Sequence, residues 1–321
     1  MSIWVDGNGW PVPPFILLGC LAVEVLYFRG WCVLVKDVQR KDTTGAIHFA
    51  EQSVANADGA EWMRWLWRAI FFSGAILAFL LAASALIDTL SDKSFWVHMV
   101  QHLLVIVIMA PLLVVAAPLM PLWLGLPNRV RIWVMVVAQH KVGRIFYRIG
   151  HWLRHPVISC FLLVSGIWMW HWPAFYDFAL THETVHDWGE HTTFLIVSLL
   201  FWTQVIPSFP LSPRLGYLGR IGCVGIAMLQ NVILAVLIGF AQVPLYAPYA
   251  HQVVLAGGFS ALQDQQFGAG IMWTFGDVPF GIALSMLVQK WLISQSDEAK
   301  IPPPLSRISE VPILEQTEHT M

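Results

Sequence analysis

Apolar runs recur along this chain between shorter polar stretches. Seven of them approach the length of a membrane span, at approximately residues 12–33, 68–88, 96–118, 156–175, 190–206, 220–241 and 270–292. A helix needs about 20 predominantly apolar residues to cross the hydrocarbon core of a bilayer. The pattern therefore predicts an all-α polytopic membrane bundle of about seven transmembrane helices, forming a single domain over residues 1–293. The run Arg131 to Ala138 is too short to cross and is flanked by basic residues, which predicts an amphipathic interfacial helix. Pro111 and Pro118 remove backbone hydrogen bonds and predict a kink in the third span. Residues 36–67 are polar and alanine-rich and predict a solvated loop. Residues 294–321, with Pro302, Pro303 and Pro304, predict a flexible tail.

Composition supports the membrane assignment. A chain that is 57% hydrophobic and 12% charged has more apolar surface than a water-soluble core can hide. Charge then orients the bundle. Basic residues gather in alternate connections: Lys36, Arg40, Lys41, Arg64 and Arg68 in the first, Arg129 to Arg154 in the third, Arg214 and Arg220 in the fifth, and Lys290, Lys300 and Arg307 towards the end. The other connections hold only Lys93. By the positive-inside rule the basic side is cytoplasmic, which predicts an outside N-terminus, a cytoplasmic loop at 36–67, a cytoplasmic C-terminus and an inner-membrane location. No positive n-region precedes the first apolar run, so the first helix is expected to be uncleaved. The net charge of −2 and the scattered basic residues give no nucleic-acid footprint. Four cysteines, Cys20, Cys32, Cys160 and Cys223, lie in apolar runs without CxxC spacing and are expected to be inert buried groups.

The same topology brings histidines to the outer face. His98 and His102 stand four residues apart at the start of the third span, a step of about 400° that puts both imidazoles on one helix face, about 6 Å apart along the axis. His171, His182, His186 and His191 follow within one acidic stretch that contains no Lys or Arg. Imidazole is the commonest metal-ligating side chain, and neighbouring carboxylates attract cations and fix ring tautomers. On a regular α-helix His186 and His191 would sit about 140° apart, so His191 is the better inward ligand and His182 the weakest candidate. At the entry to the last span, Gln263, Asp264, Gln265 and Gln266 are costly beside lipid unless they face a cavity or each other. Met272 offers a soft thioether there, although packing is the more usual role for such a residue. Gln230 and Asn231 in the sixth span read as polar glue between helices.

Four strings occur in order: His98-Met-Val-Gln-His102, Trp170-His171-Trp172-Pro173 followed by Phe175-Tyr176, Glu190-His191, and Asp264-Gln-Gln-Phe-Gly-Ala-Gly-Ile-Met-Trp273. Together, from Asp88 to about Leu292, they resemble the bacterial CtaG-type cytochrome c oxidase assembly factors. The resemblance implies a membrane factor for maturation of a haem-copper oxidase, without enzymatic activity, that helps supply copper. It implies a copper site of His98, His102, His171, His186 and His191, with Asp88, Asp264 and Gln265 behind the ligands. Its partners would be oxidase subunits, a soluble copper chaperone as donor, and the lipid bilayer. Two other readings of the same histidines stay open: a haem b electron-transfer protein with two axial imidazoles from different helices, and a metal-free assembly scaffold.

Overall fold

The computed structural model describes residues 12–45, 51–182, 184–250 and 258–300, and these are almost wholly helical. Helix α1 (Pro14–Gly45) and helix α2 (Glu51–Ala82) are followed by the short α3 (Ala85–Ser91). Next, α4 (Phe95–Leu103) passes through a π-helical segment (Leu104–Met109) into α5 (Ala110–Ala116), and α6 (Leu119–Gly125) follows. Then come α7 (Asn128–Gln139), α8 (Lys141–Leu153), α9 (Pro156–His171) and α10 (Pro173–Thr181). A second π-helical segment (Val185–Glu190) leads into α11 (His191–Val205). Helices α12 (Tyr217–Gly239), α13 (Ala247–Ala250) and α14 (Ala261–Lys300) complete the chain. No strand occurs among the described residues.

Five of these helices are long and apolar enough to cross a membrane: Pro14–Lys36, Trp62–Ala82, Phe95–Ala116, Tyr217–Gly239 and Ala261–Ser296. A sixth span arises if α8 and α9, bent by 78° at their junction, are counted together. Against the seven expected, the described residues thus give five or six candidate spans by length and composition. The stretches expected at 156–175 and 190–206 form helices of 16 and 15 residues. Trp172-Pro173 ends the first and Pro207 follows the second, because proline cannot continue a helix ladder. The stretch 36–67, expected as a loop, is helical in its described parts, as its alanines and long straight-chain residues favour. The flexible-tail expectation falls on 294–321, of which 294–300 continue α14 and the remainder lies outside the described residues. The amphipathic expectation for 131–138 corresponds to α7, none of whose side chains is buried. Cys32 is exposed on α1 and Cys160 is half-buried, whereas Cys20 and Cys223 are buried as expected.

Three contacts explain how the bundle holds α4 in place. Asp264 of α14 accepts from the Ser94 hydroxyl and from the Phe95 backbone N–H, both at 2.6 Å, and so caps α4 from outside. Gln101 Nε2 donates to Ala82 O at 2.8 Å, satisfying the end of α2. Trp202 of α11 donates its indole N–H to Ile106 O in the first π-helical segment, where the widened turn disturbs the usual ladder. At the other edge, Gly30 of α1 and Gly125 of α6 pack against each other's helix backbone, Gly30 on Pro121 O and Gly125 on Leu26 O, leaving no room for a Cβ. The main core runs through Phe95, Met99, Phe194, Phe201, Trp202 and Phe280.

Candidate metal centre

Where α4 and α11 begin and α9 ends, five imidazoles pack ring against ring. Ring centroids lie 4.2 Å apart for His98 and His102, 4.9 Å for His98 and His186, and 4.8 Å for His186 and His191. His102 lies 5.6 Å from His191 and 5.9 Å from His171. The i, i+4 step on α4 accounts for the first pair. His186 and His191 share a face because Val185–Glu190 is π-helical; hydrogen bonding from i to i+5 widens the turn until residues five apart stack. The 140° separation expected on a regular α-helix is thereby corrected.

A carboxylate completes the group. Glu190, fully buried, brings Oε1 to 3.3 Å from His102 Nε2 and Oε2 to 3.8 Å from His98 Nε2. The ligand atoms of His98, His102 and Glu190 all lie within 4.8 Å of one another. Neither Glu190 oxygen accepts a hydrogen bond. Sequence reasoning placed Glu190 in a motif beside His191 but not among the ligands, because an acid in a polar connection reads as solvated.

Hydrogen-bond partners assign the ring tautomers. Tyr249 donates its hydroxyl to Ser91 O at 2.7 Å, so its oxygen faces His98 Nδ1, 3.2 Å away, as an acceptor. His98 therefore carries its proton on Nδ1 and presents a lone pair at Nε2. His102 Nε2, 2.7 Å from His98 Nε2, then donates to it, while His102 Nδ1 is buried without a partner. His171 Nδ1 lies 2.8 Å from Ile167 O, which can only accept, so its Nε2 is likewise a lone pair, buried and without a hydrogen bond. Tyr176 and Tyr249 close the group on one side, 3.3 Å apart through their hydroxyls. Burial pushes both phenols well above their usual range, which keeps them protonated donors.

The remaining expected residues take other places. Asp264 and Gln265 make no hydrogen bond to an imidazole. Asp264 caps α4, and Gln265 accepts from Leu245 N–H at 2.7 Å and donates to Ile238 O at 2.9 Å. That fixes the chain before Tyr246, whose hydroxyl donates to His171 O at 3.1 Å. Both residues therefore position the backbone that carries the rings. Asp88 lies on the wall of a cavity of about 250 Å³ that Gln101 and His191 also line. His182 is exposed, its Nδ1–H donated to Phe178 O at 2.9 Å. Met272 is buried and lines a small void with His102 and His171. Asn231 donates to Met272 O at 2.9 Å and to Asp277 Oδ1 at 3.0 Å, tying α12 to α14.

The family model described as cytochrome c oxidase caa3 assembly factor matches residues 49–294, most of the chain and every residue of this centre. The chain belongs to the cytochrome c oxidase caa3 assembly factor family. Among curated relatives of this caa3 assembly factor family member, uncharacterised proteins of Mycobacterium bovis and Mycobacterium tuberculosis are each 25% identical over 232 residues, covering 68% of this chain and 34% of theirs. An uncharacterised protein of Mycobacterium leprae is 24% identical over 225 residues, 67% of this chain and 32% of its own. The caa3 assembly factor chain thus spans about a third of the length of the curated relatives it matches. No solved structure matches it.

Proposed function

We propose that this protein is an assembly factor for cytochrome c oxidase that binds copper as cargo at His98, His102 and Glu190, with His171, His186 and His191 close by, and passes the ion to the oxidase. It acts from the inner membrane, with oxidase subunits as partners and a soluble copper chaperone as donor. The observation that carries this reading is the pair of committed tautomers. His98 and His171 each give their Nδ1 proton to a fixed acceptor and hold an Nε2 lone pair in a buried group, the arrangement that metal-ligating histidines adopt. Glu190 beside them is buried with no hydrogen bond to either oxygen, and an ion that replaces its proton would satisfy both.

Metal-free scaffolding leaves the buried His171 Nε2 lone pair without a partner. Axial ligation of haem is less well supported, because the rings pack on each other instead of flanking a planar slot. Copper is favoured over zinc by the family and by its access to the monovalent state that a single carboxylate balances. The test is metal analysis with an optical spectrum on purified protein. About one equivalent of copper is expected in the wild type, falling roughly 10- to 100-fold in affinity in His102→Ala and His171→Ala, and unchanged in His182→Ala. A reduced α-band would support haem, and a metal-free protein that restores full oxidase assembly would overturn the copper reading.

A further inference from the structure

The imidazole group is almost sealed. His98, His102, His171, His186 and Glu190 are buried, and His191 alone of the five rings is partly accessible. Among the described residues, a small and a larger cavity border the group. The smaller, about 30 Å³, lies among Met99, Ile106, Asn231, Met272 and Phe280, all buried. The larger, about 250 Å³, has its rim at Trp188 and Thr192, both exposed, and its floor at Gln101 and Val105, both buried. His191 belongs both to its wall and to the ring cluster. The walls are mostly apolar, from Ile16, Phe79 and Leu195, but the polar groups set into them suit a cation. Gln101, 2% exposed, commits its Nε2 to Ala82 O and leaves Oε1 buried without a hydrogen bond. Asp88 lines the same space.

We propose that this cavity is the port by which the metal ion enters and leaves the imidazole cluster, with the Asp88 carboxylate, Gln101 Oε1 and His191 as the groups it meets in transit. This rests on the copper-binding reading above. Gln101 stands one residue before His102 on α4, and His191 touches both His102 and His186, so an ion at the floor of the port lies beside the cluster. Oxygen and a single imidazole make a weaker set than the grouped rings, which is what a transit position requires.

The test fills the port without touching the cluster. Ala83→Phe and Thr192→Trp place large side chains in the cavity lining, and Ile196→Trp, at an exposed position of α11 outside that lining, is the control. Copper-loaded proteins are mixed with excess water-soluble chelator and the release of copper is followed. Both filled variants are expected to hold the wild-type amount of copper and to release it roughly tenfold or more slowly, as a raised barrier on the exit path requires. The control should match the wild type. If Ala83→Phe fails to fold, Thr192→Trp at the exposed rim carries the comparison. Wild-type release rates from filled variants that hold copper would overturn the port and assign the cavity to lipid. Absence of copper from the wild type would overturn the copper reading itself, a separate result.

Discussion

Glu190 decides more about this centre than any one histidine, because it alone of the group can set a negative charge against a bound ion, giving up its proton to do so. Replacing it with Gln keeps the shape and removes the charge. Glu190→Gln is expected to keep the thermal midpoint at or above the wild-type value, while copper affinity, read by competition with a chelator, falls roughly 10- to 100-fold. Loss of stability without loss of affinity would make Glu190 a structural group. At this scale the sequence is informative where spacing acts directly: four residues between His98 and His102 put both rings on one face, and the structure keeps them there at 4.2 Å. It is uninformative where a side chain's meaning lies in its partner. The tautomers of His98 and His171 depend on Tyr249 and Ile167 O, and no local pattern announces either bond.

At the scale of elements, the two π-helical segments and the cap on α4 do the positioning. Asp264 is 169 positions from the backbone N–H it accepts, so its sequence neighbourhood shows only an acid at a helix entry. The structure shows a clamp between α14 and the helix that carries His98 and His102. Asp264→Ala is expected to cost about 2 kcal/mol, the range for a lost charge-assisted hydrogen bond and helix cap, seen as a lower thermal midpoint. Asp264→Asn, which keeps one acceptor, should cost less. Copper affinity should follow this loss in stability, unlike the response to Glu190→Gln. At the same scale, the seven apolar runs of the sequence give five or six candidate spans by length and composition, because Trp172-Pro173 and the polar π-helical turn before α11 leave helices of 16 and 15 residues. His186 was placed off-face for a related reason, since a regular 3.6-residue period was assumed where the turn is wider.

For the whole molecule, we propose from the distribution of Lys and Arg an orientation that puts the port and the imidazoles outside. A reporter fused after Met321 is expected to be active only in the cytoplasm and one inserted near Asp177 only outside; the opposite pattern would place the histidines on the cytoplasmic face. The buried setting of the centre also fixes an electrical condition for its cargo. In the loaded site an ion takes the place of the Glu190 proton, so neutral imidazoles and one carboxylate set a single negative charge against the cargo. A monovalent ion cancels it, whereas a divalent ion leaves one positive charge stranded among Phe95, Phe194 and Tyr176, where residual charge is expensive. Cuprous ion should therefore outlast cupric and zinc ions during dialysis of the loaded protein, and the lone carboxylate would act as a valence filter, set by electroneutrality and not by the softness of its donors.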